Sequence, residues 1–284
     1  MAELLKGAPV AAALAEKTTA EAEALKARGI IPTLAILRVG ARDDDLSYER
    51  GAMKRCAAAG IEVRSVLLPE DVDQNTLMNT LSALNNDNTV HGILMFRPLP
   101  AHLDEEAARK ALAPEKDVDG VTDGSLAGVF TGSHEGFSPC TAQAVVEILN
   151  HYGIALKGKN VAVIGRSLVV GRPAAMLLME QGATVTICHS KTEDTAAVTR
   201  QADIVVAAAG QMRNFGTEYF TPGQTVIDVG IHFNEETGKL CGDVRFEDAE
   251  PVVSAITPVP GGVGAVTTAV LVSHVTVAAM RQNP

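Results

Sequence analysis

A chain of 284 residues is long enough for two domains, because single hydrophobic cores seldom grow past roughly 250 to 300 residues. Its 46% apolar and 20% charged residues are an ordinary globular composition. A net charge of −10 works against nonspecific binding to nucleic acid or to an anionic membrane, yet leaves room for a local basic pocket around a phosphorylated ligand.

Residues 8 to 28 read as an alanine-rich helix closed by Gly29. "PTLAILRVG" (32–40) is an apolar run ended by glycine and predicts the first strand. "LSYERGAMKRCAAAGI" (46–61) predicts a helix with Tyr48 near its start and a stop at Gly60. The preceding Asp43, Asp44 and Asp45 suit a solvated helix start near the positive end of the dipole. "IEVRSVLLP" (61–69) is a second strand, a helix runs from Asp73 and Gln74 to Leu84, and "VHGILMFRPLP" (90–100) is a third strand entering a proline-rich loop. Residues 113 to 140, rich in Gly, Asp and Ser, read as a loop that holds the domain boundary. Beyond it come a helix from Thr141 to Tyr152, a strand and glycine turn in "KNVAVIGRSLVVGRP" (159–173), and a helix over 173–181. "ATVTICH", "ADIVVAAAG" and "TVIDVGI" are further strands, and a glycine loop then leads into a closing apolar helix. Strands alternating with helices in both halves predict parallel βαβ units.

No continuous apolar run reaches the roughly 18 residues of a membrane span, and Glu3 and Lys6 interrupt what a signal peptide would keep apolar. The four cysteines form no CxxC and point to a reduced, cytoplasmic protein. The histidines show no ligand spacing, so no metal site is expected.

"VIGRSLVVGRP" follows an apolar strand and opens a helix, the context in which a glycine turn cradles a phosphate. Its spacing is Gly165-x5-Gly171, with Ser167 in place of a second glycine, and a purely local turn is the alternative. The next strand ends in Cys188-His189-Ser190-Lys191. The acid that would bind the ribose hydroxyls of NAD is absent there, and a hydroxyl and a cation stand in its place. With Arg166, Ser190 and Lys191 favour the 2′-phosphate of NADP, although Lys191 alone reads equally well as a solvated charge.

Along nearly its whole length the chain resembles the methylenetetrahydrofolate dehydrogenase/cyclohydrolase family. The resemblance is carried by Val39-Gly40, Ser47-Tyr48, Lys54, Cys56, Gly60-Ile61, "GILMFRPLP" (92–100), "PEKDVDG" (114–120) and "PCT" (139–141). It continues through "GRSLVVGRP" (165–173), "CHSKT" (188–192), "ADIVVAAAG" (202–210), "VIDVGI" (226–231), "GDV" (242–244) and "ITPVPGGVG" (256–264). It implies two α/β domains with a cleft between them, the C-terminal one a Rossmann-type, doubly wound parallel sheet. Residues 1–138 would bind folate, completed by the closing helix 266–284, and 139–265 would bind NADP. By resemblance, Asp119 holds the pterin, Tyr48 stacks on the folate, and Leu99, Pro260, Gly261 and Gly262 line the same cleft. Gly165, Arg166, Ser167, Ser190, Ile231 and Thr141 fall to NADP. A tetrahydrofolate derivative is the implied substrate and a homodimer the implied assembly.

Two positions break the family pattern. Relatives with both activities carry a lysine four residues after the tyrosine; here position 52 is alanine. At about 100° per residue, Ala52 lies roughly 40° from Tyr48, whereas Lys54 points roughly 240° away. Where the family reads V-Q-L-P-L-P, this chain has Met95-Phe96-Arg97-Pro98-Leu99-Pro100, so the glutamine that would partner the lysine is Phe96. Losing both polar partners leaves neither one buried and unpaired. The expectation is an NADP-dependent dehydrogenase with weak or absent cyclohydrolase activity. Its rivals are a fully bifunctional enzyme using Arg97 or Lys54, a non-catalytic NADP- or folate-binding protein, and a dehydrogenase for another small substrate. Strand alternation would aim Arg97 away from the position of residue 96.

Overall fold

The computed structural model describes residues 1–284 apart from the side chain of Asp44. In chain order the elements are β1 (Glu3–Leu4), α1 (Gly7–Ala27), β2 (Thr33–Val39), α2 (Asp43–Ala58), β3 (Glu62–Leu68), α3 (Gln74–Asn86) and β4 (Gly92–Met95). There follow α4 (Glu105–Ala111), α5 (Asp123–Thr131), α6 (Cys140–His151), β5 (Asn160–Ile164), α7 (Gly171–Glu180), β6 (Thr184–Cys188) and α8 (Thr195–Arg200). The remainder is β7 (Ile204–Ala207), β8 (Thr225–Asp228), β9 (His232–Asn234), β10 (Lys239–Cys241), α9 (Phe246–Ala249), β11 (Ala255–Ile256) and α10 (Val263–Gln282).

The chain forms two compact units. The first comprises Ala13–Cys140 with Thr268–Pro284, and the second Met1–Ala12 with Thr141–Thr267. The expected division kept residues 1–12 with the first unit. They belong to the second because β1 adds to its sheet, pairing Glu3 with Ala255 and Leu4 with Ile256. Leu5 is fully buried. At Gly7 a Cβ would strike the Gly262 carbonyl, so the chain can approach that closely only as glycine.

In the first unit β2 is the centre of a parallel sheet ordered β3-β2-β4. All seven residues of β2 are buried, which is why it reads as a continuous apolar run. Its one charge, Arg38, is matched: Nε lies 3.0 Å from Glu49 of α2, whose other oxygen accepts from Ser65 of β3 at 3.0 Å. That pair ties the helix carrying Tyr48 to two strands. α3 buries Leu77, Leu81 and Leu84 on one face and is capped by Asp73, which accepts from the Thr76 amide at 2.9 Å.

Two expectations fail locally. Asp45 is buried and ion-paired with Arg42 at 2.9 Å rather than solvated, and the same expectation for Asp44 falls outside the described side chains. The stretch 113–140 is not all loop. Thr122 accepts the Ser125 amide at 3.1 Å to start α5, and Gly132, at φ 69°, ends it.

The second unit carries a six-stranded, wholly parallel sheet ordered β1-β11-β8-β7-β5-β6. β6 lies on one side of β5 and β7 on the other, so strand order reverses at β5, the place where such sheets bind ligands. α10, with a mean hydropathy of 1.8 over an 18-residue window, is long and apolar enough to cross a membrane, contrary to the sequence reading. Of that window 56% is buried inside the protein, as in a core helix.

Candidate functional site

At the carboxyl end of β5 the chain turns at Gly165 with φ 126°, where a Cβ would strike the Ala208 carbonyl oxygen. A Cβ at Gly171, the first residue of α7, would strike the Gly165 carbonyl in turn. Both glycines of the spaced pair are therefore steric requirements, and together they leave a bare backbone hollow leading into a helix N-terminus. Beside it is a cavity of about 360 Å³ lined by Gly165, Arg166, His189, Ser190, Thr192 and Tyr219, among others. No carboxylate side chain lines it. A glycine hollow next to a guanidinium, a hydroxyl and an imidazole fits a phosphorylated dinucleotide.

Not every residue expected at this cofactor lines the cavity. The hydroxyl of Ser167 accepts the amides of Val170 at 3.1 Å and Gly171 at 3.4 Å, so it shapes the turn into α7. Thr141 lies in the first turn of α6, and Ile231, 62% exposed, follows β8; neither is in the cavity wall. The exposed Lys191 donates its backbone amide to His189 Nδ1 at 3.1 Å. Sequence reasoning missed Thr192, Thr195 and Tyr219, which line the same space. Only Thr192 left a trace, as the last residue of "CHSKT".

In the first unit, half-buried Tyr48 meets Phe96 edge-on, with centroids 5.8 Å apart and planes at 86°. Ala52, one turn beyond Tyr48, is fully buried. The Tyr48 hydroxyl has the side chain of Thr268 on α10 as a neighbour, and its acidity is suppressed first by burial and then by the nearby Cys140 and Asp119. The two aspartates of "KDVDG" divide their tasks. Asp117 is fully buried and accepts from the amides of Val121 at 3.0 Å and Thr122 at 2.7 Å and from the Ser125 hydroxyl at 2.7 Å. Asp119, partly exposed, has the Cys140 thiol nearby, which itself donates to the Val118 carbonyl at 3.3 Å. Burial, reinforced by Asp117, pushes its carboxyl up to about 6, against the opposing pull of Arg97.

Behind it, His274 of α10 donates from Nδ1 to the Val118 carbonyl at 2.8 Å, and burial pushes its imidazole down to about 4, so it is neutral. β4 ends at Met95, so strand alternation does not govern Arg97. Its guanidinium lies 3.6 Å from Glu105, which also accepts the Leu99 amide at 2.8 Å. Leu99 lines a cavity of about 290 Å³ with Gly40, Arg42 and Glu70. Pro260, Gly261 and Gly262 belong to the second unit, where Gly261 has φ 100°. Thr268, Cys140 and His274 had no individual signal in the sequence as neighbours of Tyr48 and Asp119.

Fold and site together define a two-domain α/β enzyme with a dinucleotide-binding unit. Residues 5–119 match the model of the tetrahydrofolate dehydrogenase/cyclohydrolase catalytic domain, and 139–283 that of the same family's NAD(P)-binding domain. The chain belongs to the tetrahydrofolate dehydrogenase/cyclohydrolase family. A protein of Carboxydothermus hydrogenoformans named bifunctional protein FolD is 51% identical over 275 residues, 96% of each chain. The structure is similar to that of the bifunctional FolD of Campylobacter jejuni, with a TM-score of 0.95 and 38% identity over 99% of both chains. It is also similar to the Trypanosoma brucei methylenetetrahydrofolate dehydrogenase-cyclohydrolase complexed with NADP and an inhibitor, with a TM-score of 0.90 and 38% identity, covering 99% of this chain and 98% of the other.

Proposed function

We propose that the chain oxidises 5,10-methylenetetrahydrofolate to 5,10-methenyltetrahydrofolate with NADP and hydrolyses the product weakly or not at all. NADP rather than NAD is supported by the Arg166 and Ser190 wall of a cavity that no carboxylate side chain lines, since a carboxylate there would repel a 2′-phosphate. Held by these residues, NADP would supply the hydride acceptor for the carbon bridging N5 and N10 of the folate. The chain's own part in that step is to bind and orient. Gly165 lets backbone approach the phosphates, Asp119 holds the pterin edge, and Tyr48 offers its ring as a stacking surface. None of these roles needs a residue that gains or loses a proton during the transfer.

Hydrolysis differs, because water must attack the methenyl carbon and protons must move. A positioned acid–base group typically contributes about 10²–10⁴-fold to such a step. The observation that carries the proposal is the apolar contact of Tyr48 with Phe96 beside the buried methyl of Ala52, where bifunctional relatives would place glutamine and lysine.

The test supplies purified methenyltetrahydrofolate and follows its absorbance against the spontaneous rate. Enzyme-dependent hydrolysis as fast as NADP reduction would refute the single-activity reading. The double variant Ala52→Lys, Phe96→Gln is expected to gain hydrolysis that the parent lacks. A second reading, the bifunctional enzyme, is favoured by one observation: the charge of Arg97 is felt at Asp119. If Arg97 acted in hydrolysis, Arg97→Leu would abolish it, whereas under the first reading there is little to lose. The proposal extends to a homodimer in a reducing compartment, supported by the family's usual assembly and by four free cysteines, three of them buried.

A further inference from the structure

Two motifs of the second unit, "VIDVGI" and "GDV", supply no wall residue of the nucleotide cavity. Their structure is reciprocal. Asp228 accepts the amides of Gly230, Asp243 and Val244, each at 3.0 Å. Asp243 accepts the amides of Ala209 at 2.7 Å and Gly210 at 2.9 Å on one oxygen. Its other oxygen accepts the Gln211 amide at 2.8 Å and bonds His232 Nε2 at 2.7 Å. Both carboxylates are buried, Asp243 completely.

The glycines obey the same logic. A Cβ at Gly242 would strike the Asp228 carboxylate, and one at Gly230 would strike the Asp243 amide and carboxylate. Each motif therefore supplies an acid and also clears the space for the other's acid. A buried carboxylate with all its lone pairs engaged by aligned N–H groups is a strong local fastener, because charge-assisted bonds exceed neutral ones and an orphaned amide is costly.

What Asp243 fastens gives it a role. Ala209 and Gln211 line the nucleotide cavity, and Ile231 sits between Gly230, held by Asp228, and His232, held by Asp243. We propose that Asp243, seated on Asp228, is the positioning residue of the cofactor site, fixing the segment after β7 and the segment after β8 at their working separation. The inference rests on the NADP reading above. Asp243 touches no ligand itself. It acts through three backbone amides that only an anion with two acceptor oxygens can hold at once. Asparagine has the same shape but turns one oxygen into an N–H donor, which then faces either the Ala209–Gly210 pair or the Gln211–His232 pair.

The experiment measures NADP binding by titration calorimetry, steady-state KM for NADP and for methylenetetrahydrofolate, and the melting transition, in wild type and Asp243→Asn. The expected result is NADP binding weakened by about tenfold or more, in Kd and KM alike, the folate KM within about twofold, and a cooperative melt retained. A folded Asp243→Asn that binds NADP like wild type overturns the inference. So does an equal loss of both affinities, which marks general damage. If Asp243→Asn does not fold, His232→Ala decides, because it removes one of the four donors at a side chain only 22% exposed. A fall of about twofold or more in NADP affinity with the folate KM unchanged supports the proposal, and no fall overturns it. A wild type that takes up neither NADP nor NAD sinks the cofactor reading and this inference together. A wild type that binds while the variant binds equally sinks the inference alone.

Discussion

The two units each carry a pair of buried or half-buried aspartates, used in opposite ways. In the second unit Asp228 and Asp243 both spend their oxygens on backbone amides, with the His232 ring as the one side-chain partner. In the first, Asp117 is spent in the same way, while Asp119 two residues later sits beside the Cys140 thiol, and burial pushes it up to about 6, as it pushes the amide-bonded Asp228 up to about 7. A carboxylate with both oxygens engaged inside the protein builds a site. One whose oxygens are not taken up by backbone amides has capacity for a ligand.

The sharpest way to break that comparison is to exchange the fates of Asp117 and Asp119. Asp117→Ala orphans the amides of Val121 and Thr122 and the Ser125 hydroxyl inside the protein, and is expected to cost about 3 kcal/mol in urea unfolding. Asp119→Asn keeps its shape and removes an anion beside another anion, so stability should hold. Its kcat/KM for the folate should fall roughly 10- to 100-fold with NADP affinity unchanged. If Asp119→Asn destabilised as much as Asp117→Ala, the division of labour would be wrong.

Residue chemistry alone did not reveal that division, and only the family resemblance singled out Asp119. Two aspartates two residues apart look alike until the loop closes around one of them. What was legible follows from periodicity and from chain order. β2, β4, β7 and β8 are buried along their length and read as apolar runs, and the placing of Tyr48, Ala52 and Lys54 around α2 follows from helix geometry alone. α5 was lost because its cap and stop, Thr122 and Gly132, are also loop residues. β1 and β11 have two residues each, too few for any period, and they pair across 252 positions, as Glu3 does with Ala255. Thr268 is invisible as a neighbour of Tyr48 for the same reason. Its proximity is made by the return of α10, which topology suggested and the family resemblance implied without naming the residue.

A medium effect tests the electrostatics of the reserved acid. Burial and Asp117 raise Asp119 while Arg97 lowers it, and the nearby phenol of Tyr48 is held neutral. If the ionised form holds the pterin, kcat/KM for the folate rises with pH through about 6. In Arg97→Leu the anion loses its cation, so this limb should move to higher pH and activity at mildly acid pH should fall most. Stability carries the opposite sign. With its folded value above the ordinary carboxylate range, Asp119 binds its proton more tightly folded than unfolded. Its contribution is therefore fully present below the unfolded value and is lost as pH rises to about 6. Asp119→Asn should remove that slope, and an Arg97→Leu limb that stays in place would detach Arg97 from the site.

The smallest effect probes the backbone-built side of the comparison. Ser167 stands where a second glycine would serve a phosphate, and by resemblance it belongs to the cofactor. Its hydroxyl already accepts the Val170 and Gly171 amides. Those amides lead the first turn of α7, so the side chain stiffens the hollow rather than filling it. Ser167→Ala should then cost about 1 kcal/mol of stability, one neutral hydrogen bond's worth at an exposed turn. NADP affinity should change less than in Arg166→Ala, since the glycine hollow and the guanidinium both remain. A Ser167→Ala variant with unchanged melting but NADP binding as weak as Arg166→Ala would move Ser167 from the turn to the ligand. The second unit's site would then depend on side chains as much as the first unit's does.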